Sequence, residues 1–105
     1  MLMHGVYFTL QDRSEKARKE FVGLCEAYLQ DHDGTIYFAV GERGEEFRRE
    51  VNDQEFDVAL YVAFESAAAH DKYQEHPRHQ AFIEQAKSRW AKVRVFDSYL
   101  AASSK

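Results

Sequence analysis

Residues 57–64 read DVALYVAF, and this stretch decides the fold because both alternating sets of side chains from Val58 onward are apolar. A β-strand points successive side chains to opposite faces of its sheet, so Leu60 and Tyr61 lie on different faces. Residues 35–40 (TIYFAV) repeat the pattern. The sequence therefore predicts a sheet that is apolar on both faces and needs a cover on each of them.

Two further strands and one helix follow from the segments on either side. Residues 3–10 (MHGVYFTL) and 92–100 (KVRVFDSYL) are rich in β-branched and aromatic residues, which favour strands. Ser14 is a predicted N-cap, and the helix that it begins ends at the DHDG turn of residues 31–34. The apolar stripe of this helix has helical spacing and comprises Ala17, Phe21, Leu24, Cys25, Tyr28 and Leu29.

The second helical region is divided by its single proline. Ser66 is predicted to cap a short helix, SAAAHDKY, which ends before the His-Pro step because a residue that precedes proline is disfavoured in helical geometry. Pro77 suits the first turn of a new helix, where its missing N–H costs nothing. One face of that helix is predicted to carry His79, Phe82, Ile83, Ala86 and Trp90.

The resulting order, β-α-β-β-α-α-β, predicts a ferredoxin-like α+β protomer with an antiparallel four-stranded sheet. We assign residues 1–100 to one domain and 101–105 to a flexible tail. Helices cover only one sheet face, so we predict a homodimer in which a second copy covers the open face. The sequence does not decide whether Leu60 or Tyr61 faces that partner. The charged segment 41–56 is predicted to be a solvated connection that reaches over the partner.

Composition excludes several classes of protein. The chain has 105 residues and a net charge of −4, with both signs interspersed, so it lacks the concentrated cationic face that nucleic-acid binding requires. No apolar run approaches the roughly 18 residues of a membrane span, and no basic leader precedes the first strand. Cys25 is the only cysteine, which rules out an internal disulfide. We predict a cytoplasmic protein with neither nucleic-acid nor membrane partners.

Four local motifs, taken with this element order, make the chain resemble the stress-responsive dimeric α/β-barrel (Dabb) domain family. The motifs are His4 in the first strand, FES at 64–66, YQEHPRHQAF at 73–82, and VRVFDSY at 93–99, where Asp97 ends a strand-like alternation. The Y-x-x-H-P-x-H-x-x-F run is the most specific of them. The resemblance covers nearly the whole chain.

The resemblance implies two ferredoxin-like protomers packed sheet against sheet into a dimeric α/β barrel. One branch of the family comprises polyketide cyclases that close a ring by aldol chemistry without a cofactor, using a tyrosine and a histidine in a pocket between sheet and helices. The matching positions are Tyr73 and His79, with His4 lining the same pocket. The sequence departs from that branch at Val58, where the cyclase carries another histidine. The implied contacts to a small hydrophobic or aromatic ligand are Val6, Phe8, Phe21, Cys25 and Phe82.

The residues themselves leave two interpretations of these candidates open. His79 lies on the apolar face of its helix, and the nearby helix N-terminus disfavours imidazolium, so the ring suits a general base. The alternative is a half-buried histidine bonded to a backbone carbonyl. Tyr73 either polarises a ligand carbonyl or packs with its hydroxyl at the surface. His4 either completes a polar pocket or is a core histidine whose hydrogen bonds are satisfied.

The other histidines carry weaker predictions. His76, before the proline, is predicted to cap a helix, while His32 and His70 are interpreted as turn and exposed helix residues without a functional role. A metal site would have to combine His4, His76 and His79, since histidines three apart can share a helix face. We expect no carboxylate or thiol to join them at ligand spacing, and therefore predict no metal.

Three classes of function remain open on this evidence. The first is a small-molecule pocket protein, with cofactor-free lyase or cyclase chemistry on carbonyl substrates, in which His79 takes a proton and Tyr73 stabilises the oxyanion. The second is a non-enzymatic stress protein whose relevant property is a stable assembly. The third is a monooxygenase of the related dimeric barrel type, acting without a cofactor or on haem.

Overall fold

A computed structural model describes residues 1–101 and confirms the predicted order of elements. A single 3-10 turn, Lys87–Arg89, precedes the last strand. Residues 102–105 of the predicted tail lie outside the residues that the structure describes. The elements are β1 (Leu2–Leu10), α1 (Glu15–Leu29), β2 (Thr35–Glu42), β3 (Val58–Phe64), α2 (Ala67–Glu75), α3 (Pro77–Ala86) and β4 (Trp90–Tyr99).

The four strands form one antiparallel sheet in the order β2-β3-β1-β4. The two central strands are β1 and β3, and Val6 pairs with Leu60 on one side and with Val95 of β4 on the other. This arrangement is the ferredoxin-like fold that the element order predicts. It places His4 of β1 directly beside Asp97 of β4.

Three side-chain caps set the helix starts where the sequence predicts them. The Ser14 hydroxyl accepts a hydrogen bond from Ala17 N, and the Ser66 hydroxyl accepts one from Ala69 N, both at 3.2 Å. His76 caps α3 through its Nδ1, which accepts from Arg78 N at 3.0 Å. These bonds satisfy backbone N–H groups that the first helical turn leaves without partners.

The prediction that Trp90 lies on the face of α3 is wrong, because α3 ends at Ala86 and Trp90 begins β4. The 3-10 turn between them reverses the chain toward the sheet. Trp90 nevertheless packs against Phe82 of α3, with ring centroids 6.4 Å apart. Trp90 therefore packs against the core as a residue of the sheet rather than of the helix.

The structure decides which strand alternation faces the helices. Leu60 is buried under the helices, whereas Tyr61 lies on the opposite face and is partly exposed. The hydroxyls of Tyr61 and Tyr7 meet across this open face at 2.5 Å. A groove of about 560 Å³ runs over the open face; its apolar and aromatic lining includes Met3, Tyr7, Val51, Phe56, Tyr61, Phe96 and Leu100.

The charged connection of residues 41–56 has no buried residue, as a solvated connection requires, and hydrogen bonds anchor its two ends. Asp57, at its end, is fully buried, and its carboxylate accepts hydrogen bonds from Leu10 N at 2.9 Å and from Arg13 Nε at 3.0 Å. Arg43, from the start of the connection, donates to the same carboxylate at 3.0 Å. A buried charge needs such partners, so this carboxylate fixes both ends of the connection to the sheet.

Among the helices of residues 1–101, none has the length and apolar character needed to cross a membrane.

Candidate active site

A cavity of about 280 Å³ lies between the sheet and the helices, and it brings the three predicted catalytic side chains together. His4 reaches it from β1, Tyr73 from the last turn of α2 and His79 from the first turn of α3. Among residues 1–101, Gln74 is the one further polar residue in its lining. The apolar lining consists of Val6, Phe8, Leu29, Leu60, Phe82, Ile83, Trp90, Val93 and Val95.

Three of the five predicted ligand contacts line this cavity, and two do not. The lining includes Val6, Phe8 and Phe82. Phe21 and Cys25 are fully buried in the core, outside that lining. Burial raises the pKa of the Cys25 thiol to about 12, which keeps the group protonated and unreactive as a nucleophile at neutral pH.

Tyr73 and His79 face each other across the break between α2 and α3. Their ring centroids are 4.7 Å apart, and the rings meet edge to face at 72°. Both residues are buried, yet neither the Tyr73 hydroxyl nor His79 Nδ1 has a hydrogen-bond partner within residues 1–101. Buried polar atoms are nearly always paired, so two orphaned atoms on residues that line one cavity are unusual.

The surface alternative for Tyr73 is therefore wrong, because its hydroxyl is buried. Burial, reinforced by the nearby Cys25, raises the pKa of Tyr73 above its usual range, so the hydroxyl keeps its proton. Burial lowers the pKa of His79 to about 4, and the positive charges that His32, His4 and His70 would carry act in the same direction. At neutral pH the cavity thus offers one neutral donor and one neutral acceptor.

His4 is oriented by a carboxylate rather than left free. Its Nδ1 lies 2.6 Å from Asp97 Oδ1, which makes Nδ1 the donor whenever the ring is neutral. Burial lowers the pKa of His4, although the bond to Asp97 and the charge of that carboxylate oppose the shift. The ring lies edge to face with Tyr73 at 6.1 Å. His4 therefore has both predicted features, a place in the core and a place in the pocket.

Two histidines that the sequence does not single out belong to the surroundings of the site. His70 packs against His4 with ring centroids 5.1 Å apart. The prediction that His70 is an exposed helix residue is wrong, because its side chain is only 19% exposed. His32, predicted in a turn, is buried; its Nε2 donates to Tyr28 O at 2.8 Å, and its ring lies 4.9 Å from Tyr73. His70 precedes Tyr73 by three positions, which places both on one helix face. That spacing is the signal that could have identified His70.

The expectation that no carboxylate joins the histidines is wrong, because Asp97 contacts His4. His76, by contrast, does not line the cavity. It caps α3 and packs against His32, with centroids 5.0 Å apart. A metal site that combines His4, His76 and His79 therefore does not form, and a carboxylate lies where the sequence suggested none.

Comparison with known proteins connects this fold to solved structures. A Dabb family protein from Mesorhizobium loti is 21% identical over 96% of this chain and 97% of its own, with a TM-score of 0.78. A dimeric ferredoxin-like protein of unknown function from Thermobifida fusca is 15% identical over 94% and 90%, with a TM-score of 0.77. A hydroxynitrile lyase from Passiflora edulis is 15% identical over 97% and 94%, with a TM-score of 0.75.

Likeness at these identities shows the fold alone, and among curated protein sequences none matches the chain significantly. The family comparison reaches further, because the Stress responsive A/B Barrel Domain matches residues 2–100, from the first strand to the end of the last. With the fold and the Y-x-x-H-P-x-H-x-x-F run in agreement with that match, this chain belongs to the stress-responsive A/B barrel domain (Dabb) family.

Proposed function

We propose that this protein binds a small, largely apolar carbonyl compound between its sheet and helices and catalyses proton transfer at the carbon next to the carbonyl. The observation that supports this function is the pair of buried, unpartnered atoms, Tyr73 Oη and His79 Nδ1, on two residues that line a largely apolar cavity. A carbonyl oxygen is an acceptor for the tyrosine hydroxyl. An acidic C–H beside it is a proton source for the imidazole.

The proposed step needs no cofactor. His79 Nδ1 accepts the proton as the C–H bond breaks. The electron pair of that bond forms a C=C bond to the carbonyl carbon, and the π electrons of the carbonyl move onto its oxygen to give an enolate. The Tyr73 hydroxyl donates a hydrogen bond to the developing oxyanion. The enolate can then attack a second carbonyl or expel a leaving group, which are the steps of aldol cyclisation and lyase chemistry. His4, held by Asp97, would position the substrate from the β1 side.

The protonation states of the two groups support these roles. A pKa of about 4 keeps His79 in its basic form throughout the neutral range, and a raised pKa keeps Tyr73 protonated as a donor. Opposite roles for two groups whose environments separate their pKa values are a recurrent design of acid-base sites. The apolar lining excludes water and so strengthens the hydrogen bond to the oxyanion.

Hydrogen-deuterium exchange at the methyl group of acetophenone, followed by NMR in D2O, tests the proposed step without knowledge of the natural substrate. We expect the wild-type protein to accelerate exchange, and His79→Gln and Tyr73→Phe each to lower the rate by about 100-fold or more. His76→Asn, outside the cavity, should exchange at the wild-type rate. Exchange that is unchanged in both cavity variants would refute these roles.

We further propose that the protein is a homodimer that pairs through the open sheet face. The groove on that face is lined by aromatic and aliphatic side chains, and Phe96 and Tyr37 each expose more than half of their surface there. Monomers seldom expose a continuous apolar face of this kind. The Thermobifida fusca protein with this fold is described as dimeric. A cytoplasmic location stays a prediction from the sequence.

A further inference from the structure

Three side chains of the types that bind metal ions lie close together beside the cavity. The proposed proton transfer does not use them as a group. They are His4 of β1, His70 of α2 and Asp97 of β4, and one ligand atom from each lies within 4.8 Å of the other two. His4 and Asp97 are paired by the strand register. The imidazole of His70 is added from the helix layer above them, with its ring centroid 5.1 Å from that of His4.

The state of His70 is a second and independent observation. Its Nδ1 lies 3.2 Å from the exposed carboxylate of Asp71, while its Nε2 is buried and lacks a hydrogen-bond partner in the described part of the chain. A buried ring nitrogen that has given up water without gaining a partner costs free energy. A bound cation would supply the missing partner.

The donor set indicates the class of ligand. Two imidazole nitrogens and one carboxylate oxygen are the ligands of zinc and iron sites that keep coordination positions open for water or substrate. We propose that His4, His70 and Asp97 bind one divalent transition-metal ion, with its open positions at the His4 end of the cavity. The ion takes the place of the proton that His4 and Asp97 share.

The cluster needs only side-chain adjustments to reach this geometry: His4 and Asp97, now 2.6 Å apart, must separate slightly, and His70 must move closer. Ligand atoms around a tetrahedral zinc ion lie roughly 3.3 Å apart, given Zn–N bonds of about 2.0–2.1 Å. The Asp97 side chain is 41% exposed and that of His70 is 19% exposed, so both have room to adjust their rotamers. His4, which is buried in the central strand β1, supplies the fixed ligand.

Titration calorimetry of the full chain with Zn²⁺ tests the proposal. We expect one ion per chain, and dissociation constants at least about tenfold higher in His70→Ala and in Asp97→Asn. Asp71→Asn is the matched control, because it removes the adjacent exposed carboxylate and should keep the wild-type affinity. Co²⁺ provides a second readout, since its visible absorption reports the coordination number, and the spectrum should change in His70→Ala.

The same variants separate this proposal from the proposed proton transfer. Tyr73→Phe should retain zinc binding while losing carbonyl exchange, so the failure of one proposal leaves the other standing. His70→Ala introduces a strong helix former at a partly buried helix position, and a melting curve will verify that the variant folds. Absence of zinc binding by the wild-type chain, or equal affinity in His70→Ala and wild type, would overturn the metal site.

Discussion

At the scale of single residues, burial in the folded protein, rather than the residues adjacent in sequence, determines the protonation states of Tyr73 and His79. Both side chains lie in one apolar cavity, and the loss of water moves their pKa values in opposite directions. Such desolvation disfavours whichever form of a group is charged. The neutral pair suits proton transfer, and it also makes the folded protein sensitive to acid, because a buried neutral histidine resists protonation.

We expect the free energy of unfolding to decrease as the pH falls from about 6.5 toward about 4, and to decrease less in His79→Gln. The unfolded chain protonates this histidine near its ordinary pKa of 6.5, whereas the folded protein does so only near 4. Stability from the neutral ring is therefore complete above the unfolded pKa and is lost as the pH falls toward the folded pKa.

Urea unfolding of both proteins at about pH 7.5 and about pH 5 measures this difference. Burial also lowers the pKa values of His4 and His32, so the variant should keep part of the acid sensitivity. His76→Asn, whose side chain lies outside the cavity, should behave like the wild type. If His79→Gln lost as much stability in acid as the wild type, His79 would not be the buried neutral base that we describe.

At the scale of elements, the break between α2 and α3 forms the site. His76 ends α2 with its backbone N–H, which donates to Tyr73 O, and starts α3 with its ring, which accepts from Arg78 N. Pro77 fixes the first position of α3. The change of helix direction at this point turns His79 toward Tyr73. In a continuous helix the two residues would lie about one and two-thirds turns apart, on different faces.

His76→Ala should lower the free energy of unfolding by about 1 kcal/mol, within the 0.5–2 kcal/mol range of lost N-caps. For a domain of this size the melting temperature should drop by about 4–8 °C per kcal/mol. His76→Asn is the matched control, since asparagine also accepts from the backbone and should restore most of the loss. Equal melting temperatures for His76→Ala and the wild type would show that the ring does not act as a cap.

At the scale of the whole molecule, the two faces of the sheet differ, because the helices cover only one of them. The helices bury the face that carries Leu60, and the opposite face exposes Phe96 and the Tyr7–Tyr61 pair around a groove. The edge strand β4 contributes to both faces with neighbouring residues of equal exposure, Val95 at 51% and Phe96 at 52%. This pair of positions allows a test of the dimer that controls for exposure.

Phe96→Asp should convert the dimer to a folded monomer, because it places a charge in the face that we propose is buried between protomers. Val95→Asp, on the other face of the same strand, is the control and should remain dimeric. Light scattering at micromolar concentration, with circular dichroism to check folding, distinguishes the outcomes. A wild-type mass close to the 12.3 kDa of one chain would refute the dimer outright.

The position of Tyr61 gives a second comparison on the same face. Tyr61→Asp should act like Phe96→Asp, whereas Leu60→Asp should unfold the protein because Leu60 belongs to the core under the helices.

The sequence by itself determined the order of elements, the helix caps and the fold, because these depend on local periodicity, on side chains that bond their own helix starts, and on the rules that connect short elements. It also predicted Tyr73, His79 and His4 as site residues, through a family resemblance rather than through local spacing, and the structure places all three around one cavity. The prediction from sequence was wrong at an element boundary. The apolar pattern placed Trp90 on the helix α3, but a 3-10 turn follows the end of α3 and Trp90 begins β4.

Only the tertiary structure decided which sheet face the helices cover, that Phe21 and Cys25 pack outside the cavity, and that Asp97 holds His4. It also revealed the cluster with His70. These facts depend on strand register and helix packing, which bring together residues as far apart as positions 4 and 97. The residue pattern of a helix or strand shows which of its own faces is apolar. It does not show which other helix or strand packs against that face.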